Sequence, residues 1–75
     1  MELHEIIKAM RLEMGFSQQT LAGKLRVSFA AVNRWENQRT KPTKIAVYAL
    51  IKLAKSRKIN KELIEQLEMI EFHDN

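Results

Sequence analysis

Apolar residues return at helical spacing along this chain from one end to the other. Leu3, Ile6, Ile7, Met10 and Met14 stand at i, i+3, i+4, i+7 and i+11, which predicts a helix from about Leu3 to Met14 that stops at Gly15. Phe16 comes next, placed to plug the core just ahead of the second helix. Ser17 is a good N-cap, and Leu21, Ala22 and Leu25 then share one face, so a second helix should end near Leu25. Ser28 is another such cap. Only Arg26 and Val27 lie between the two helices, which is too little chain for antiparallel packing and suits a sharp crossing. Gly23 inside the second helix should cost about 1 kcal/mol relative to Ala; close approach of a neighbouring helix is the explanation the pattern offers.

The stretch after Ser28 divides into two faces when its residues are set at about 100° intervals. Ala31, Val32 and Trp35 fall on one side, which reads as core. Phe29, Ala30, Asn33, Arg34 and Asn37 fall on the other. Two amides, a guanidinium and two apolar surfaces are the side-chain types that read base edges in a major groove. Trp35 beside Val32 reads as a core residue rather than a stacking platform. Phe29 is either an exposed ring for thymine methyl groups or a ring folded back over the bend.

Beyond it, NQRTKPT from Asn37 to Thr43 is a polar loop. Pro42 forces Lys41 out of helical geometry, and Thr43 can cap a fourth helix. Lys44 to about Lys55 contains IAVYALI. Seven consecutive apolar residues would suit a strand, but the chain offers no partner strand. As a helix, this segment has one apolar side of Ile45, Ala46, Ala49, Leu50 and Leu53, expected to complete the core. Its second side, Val47, Tyr48 and Ile51, requires another cover. Leu63, Ile64, Leu67 and Ile70 supply a matching stripe on a fifth helix, about 60 to 72, capped by Asn60. That helix either folds back on the fourth, as we expect for most of the stripe, or pairs between chains. Glu62, Glu65, Glu68 and Glu71 would then face solvent or a partner.

Charge sharpens this picture. The 75 residues make one domain, 1–75, near the lower size limit for folding without cross-links, with a core over 3–55 and an acidic helix after it. The net charge is +4, but from Met14 to Lys58 there are ten Lys or Arg against the single acid Glu36. From Ile59 onward, five acids face one Lys. A polyanion would be attracted by the middle of the chain and repelled by its tail. There is no Cys, no apolar run of the ~18 residues a membrane span needs, and no signal-peptide pattern, so a soluble cytoplasmic protein is expected. His4 and His73 are isolated near the termini and read as surface residues. No Gly-rich phosphate loop or carboxylate pair appears, so no catalytic residue, metal or cofactor is expected.

Taken in order, Arg11, G-F-S-Q at Gly15 to Gln18, L-A at Leu21 and Ala22, L-x-V-S at Leu25 to Ser28, V-N-R-W-E-N at Val32 to Asn37 and K-P-T at Lys41 to Thr43 form a specific set. Over about residues 6 to 55 the chain resembles the helix-turn-helix of the Cro and phage-repressor superfamily, which includes the xenobiotic-response-element type of bacterial regulator. The resemblance implies an all-α, five-helix, lambda-repressor-like domain. It also implies an ion pair between Arg11 and Glu36, and Glu36 as the lone acid of a basic region supports the same pairing. The family counterpart of Gln18 holds a phosphate at the positive end of its helix, which implies that role here. Two departures stand out. The bend position that is usually Gly is Arg26, so a residue with a Cβ must carry a left-handed or strained backbone at ~1 kcal/mol. The Gly that commonly comes after the Trp-Glu-Asn run is Gln38.

The expected function is sequence-specific binding of double-stranded DNA by a bacterial or phage transcriptional regulator, located on the nucleoid when bound, with helix 28–37 in the major groove. Phe29, Ala30, Asn33, Arg34 and Asn37 are the candidate base readers, Asn33 and Arg34 foremost. Gln18, Ser28, Arg39, Lys41 and Lys44 are the candidate phosphate contacts. A homodimer through the fourth and fifth helices would double the few base contacts of one module. The alternative is a protein-interaction module on the same scaffold, as in antitoxins or bridging factors, using the acidic fifth helix and the Val47, Tyr48 and Ile51 patch.

Overall fold

Short-range chemistry opens the helices of this chain and closes most of them. The computed structural model describes the backbone of residues 1–73 and the side chains of residues 1–70. Within them lie five helices: α1 (Leu3–Glu13), α2 (Gln18–Leu25), α3 (Phe29–Glu36), α4 (Lys44–Ser56) and α5 (Lys61–His73). Ser17 Oγ accepts the Thr20 amide at 3.0 Å, Ser28 Oγ accepts that of Ala31 at 3.0 Å, and Thr43 Oγ1 accepts that of Ala46 at 3.1 Å. Asn60 Oδ1 accepts the Glu62 amide at 2.9 Å and opens α5. Such caps contribute about 1 kcal/mol each by satisfying amides that the helix cannot pair itself.

The opposite ends share one device. Gly15, Arg26, Gln38 and Lys58, each just past a helix, have φ of 77°, 59°, 62° and 56°. The amide after the left-handed residue then reaches back five residues: Phe16 to the Arg11 carbonyl at 3.1 Å, Val27 to Ala22 at 3.0 Å, Arg39 to Arg34 at 2.9 Å. Arg26 therefore carries the left-handed bend itself. Gln38 gives α3 a defined exit in the same way. Three of these four positions have a Cβ, so each costs about 1–2 kcal/mol that tertiary packing must offset.

The core lies where the five helices converge. Ile6, Ile7 and Met10 of α1 meet Leu21, Ala22 and Leu25 of α2, Val32 and Trp35 of α3, and the inner faces of α4 and α5. Phe16, Ala31 and Met14 pack against this core half-buried. The α2–α3 crossing is the tight one, while α5 lies across both α1 and α4. Leu63, Ile64 and Leu67 are buried there and Ile70 packs beside them, so the stripe folds back within its own chain. The Glu13 carboxylate accepts the Asn60 amide at 2.8 Å and ties the end of α1 to the start of α5. Glu62 and Glu65 are exposed, and Glu68 pairs with Lys55 at 3.2 Å. The readings of Glu71 and His73 fall on side chains outside the described residues.

Four expectations are corrected. The side of α4 facing the core is a stripe of Ala46, Val47, Leu50, Ile51 and Ala54 that draws on both apolar sides. Ile45 falls nearly opposite its centre and is 81 % exposed, because α5 takes the Val47 and Ile51 side under cover. The Val47, Tyr48 and Ile51 patch accordingly does not exist as a surface; Tyr48 keeps company with Ile45 instead. No neighbour comes near Gly23, where an added Cβ would meet only open space. His4 is half-buried rather than on the surface.

The two glycines should respond oppositely to the same change. Gly23→Ala should raise stability by about 0.5–1 kcal/mol, whereas Gly15→Ala, at φ 77°, should lower it by about 1–2 kcal/mol. Urea denaturation of both variants checks this, and midpoints moving in the same direction would contradict the backbone assignment.

Candidate nucleic-acid interface

Helix α3 is held from behind. Val32 is fully buried and Trp35 is 7 % exposed, so one edge of the helix is locked into the core. On the other edge Phe29 is 51 % exposed, and Ala30, Arg34 and Asn37 also stand in solvent. The Phe29 side chain is thus about half in solvent. Asn33, on the same face, is half-buried, its amide bonded to Gln18. Ser28 Oγ serves its cap, and Asn37 Nδ2 donates to the Asn33 carbonyl at 2.8 Å. Arg39, Lys41 and Lys44 come directly after, all exposed.

The position of α3 relative to α1 and α2 rests on one ionic cluster. Arg11 Nε donates to Glu36 Oε2 at 2.7 Å and Nη2 donates to Oε1 at 2.9 Å, with the two side chains only 10 % and 4 % exposed. The third arm, Nη1, donates to the Phe16 carbonyl at 2.9 Å, so the guanidinium also pins the turn between α1 and α2. Burial pushes the Glu36 carboxyl up, but hydrogen bonds from Arg11 and Gln18 and the charges of Arg11 and Lys8 outweigh it, leaving the group below its ordinary range. The hydrogen bond to Glu36 holds the Arg11 guanidinium charged, above its ordinary value.

Gln18 is where the geometry adds most to the sequence reading. Its Nε2 donates to Glu36 Oε1 at 3.0 Å, and its Oε1 accepts from Asn33 Nδ2 at 3.1 Å. The amide expected at a phosphate is thus engaged between α2 and α3. A signal for this was present: a buried carboxylate needs more donors than one arginine supplies. Among the described residues no group of His, Cys, Asp or Glu is gathered to hold a metal, and no helix is long and apolar enough to cross a membrane.

Two short helices crossing at a three-residue bend, the second locked by an aromatic residue and an ion pair, define a helix-turn-helix domain. A helix-turn-helix family model matches residues 7–56, and the chain belongs to that family, of the Cro and phage-repressor type. It is in general terms a DNA-binding regulator domain. Neither a curated protein nor a solved structure matches the chain. Helix α5 begins beyond the matched residues, yet it closes the core.

Removing one partner of the pair should cost on the order of 3 kcal/mol, as in Glu36→Gln, because a buried guanidinium is left without its counter-charge. The folded pKa of Glu36 is depressed, so its contribution is fully present above the ordinary carboxylate value of 4.5 and is lost as pH falls through the folded value. The stability difference between Glu36→Gln and the unaltered protein should hold constant above about pH 6 and shrink below the carboxylate range. Denaturation measured across pH checks this; a difference that grows on acidification would contradict it.

Proposed function

We propose that this domain binds double-stranded DNA in a sequence-specific way, as a bacterial or phage transcriptional regulator working in the cytoplasm and on the nucleoid. The reading is carried by the division of α3: Val32 and Trp35 are locked inward while Phe29, Ala30, Arg34 and Asn37 stand outward along one edge. Placed in a major groove, Arg34 can donate two hydrogen bonds to guanine and an Asn amide can pair with adenine. Phe29 and Ala30 offer apolar surface to thymine methyl groups. Ser28, Arg39, Lys41 and Lys44 flank that edge and would anchor phosphates, which sets register without reading sequence. The excess of ten basic residues over one acid between Met14 and Lys58 supports the same polyanionic partner.

One such module makes few base contacts, so a two-fold dimer on a palindromic site is part of the proposal, with half-sites about one turn apart. Ile45 and Tyr48 on α4 and Met69 on α5 are exposed apolar side chains, which supports pairing through these helices. The same residues favour the other reading, a scaffold whose main partner is a protein. Salt dependence separates the two. Several phosphate contacts give a steep fall of affinity with salt, whereas a protein binder shows little affinity for any duplex.

Selection from a random duplex pool, with polarisation titrations on the enriched site, tests the division of labour. Arg34→Ala should lower discrimination at one base position by about 1–3 kcal/mol, leaving others intact. Lys41→Ala should weaken all duplexes alike and flatten the salt slope by about one unit. Identical behaviour of the two variants across sequences would overturn the assignment of reading and anchoring residues.

A further inference from the structure

We propose that the buried Arg11–Glu36 pair, acting through Gln18, dictates which way round the Asn33 amide faces, and so makes Asn33 a reader of adenine rather than guanine. The inference rests on the reading of α3 as a groove-facing helix. The chain of hydrogen bonds starts from a group that has no choice. An ionised carboxylate can only accept hydrogen bonds, and Arg11 occupies both Glu36 oxygens with donors. The Gln18 atom at 3.0 Å from Glu36 Oε1 must therefore be its nitrogen. The other end of that amide must be its oxygen, and the Asn33 atom at 3.1 Å from it must be a nitrogen. Each amide in the chain could otherwise turn over, since the two ends have the same shape; the charge at its buried end removes that freedom.

The consequence falls on what Asn33 has left. One Nδ2 proton is spent on Gln18, so the side chain retains one N–H and its Oδ1. Adenine presents an acceptor, N7, beside a donor, the 6-amino group, and matches that pair. Guanine presents two acceptors, N7 and O6, and would need both Asn33 protons facing the groove. Gln18 and Glu36 are positioning residues in this scheme: neither needs to touch the DNA, and the phosphate role expected of the Gln18 amide competes with the bonds it makes here.

The test has one arm without DNA and one with it. In the free protein, nitrogen-15 spectra should show the two Asn33 side-chain protons split, with the one bonded to Gln18 exchanging more slowly with water. Gln18→Met keeps the length of the side chain and removes both hydrogen bonds, and should bring the two protons to the behaviour of a solvated amide. In binding, Asn33→Ala first identifies the base position concerned. At that position Gln18→Met should lower the preference for adenine over guanine about tenfold, while the preference at the Arg34 position holds. Glu36→Gln, studied at low temperature because it weakens the fold, should lower the same ratio, since an amide at 36 can either donate or accept.

Unchanged Asn33 amide signals in Gln18→Met would overturn the orienting link, whatever the DNA results. A uniform fall in affinity with the adenine ratio intact would overturn it in favour of a phosphate contact by Gln18. Failure of the unaltered protein to bind any duplex would overturn the adenine assignment together with the DNA reading, while the amide spectra still decide the link by themselves.

Discussion

The Arg11–Glu36 pair is the constraint around which this small domain is arranged. The two residues are 25 positions apart, sit on the first and third helices, and meet with both side chains almost wholly out of water. Burying two charges costs several kcal/mol per ion unless geometry and further hydrogen bonds offset it. Here both conditions are met. The contact is two-pronged, the third arm of the guanidinium holds the Phe16 carbonyl, and the carboxylate takes a further donor from Gln18. Such a cluster tolerates few alternative arrangements. It therefore sets how α3 stands on α1 and α2 with more precision than the non-directional packing of Val32 and Trp35 can.

That precision matters because the rest of the architecture is lean. A chain of this length buries a modest fraction of its surface, and three of its left-handed positions carry a Cβ at some cost. Stability is recovered locally by caps on α2 to α5 and by the amides that close α1, α2 and α3. It is recovered globally by α5, which lies outside the family match and yet contributes Leu63, Ile64 and Leu67 to the core. The acidic helix is thus part of the fold rather than an appendage.

The division of charge obeys the same plan. Basic residues are concentrated from α2 through α4, and the acids of the last helix lie on an element that packs on α1 and α4. Locked helix, outward polar edge and flanking cations belong to one physical arrangement, in which the energy that holds α3 in place is separated from the groups it offers to a partner.

Local signals in the sequence were enough to determine where the helices begin. Ser17, Ser28, Thr43 and Asn60 act within three residues of themselves, and the apolar spacing of α1, α2 and α3 leaves one possible inner face for each. The ion pair was also legible, since Glu36 is the lone acid in its region and the family motif names its partner. The inner face of α4 was not, because IAVYALI is apolar all round and periodicity cannot choose a side where every side qualifies. Tertiary structure chose it: α5 covers Val47 and Ile51, and Ile45 is turned to water. Tertiary structure also decided the work of Gln18, because a hydrogen bond between side chains 15 or 18 residues apart depends on a crossing geometry that neither helix encodes alone.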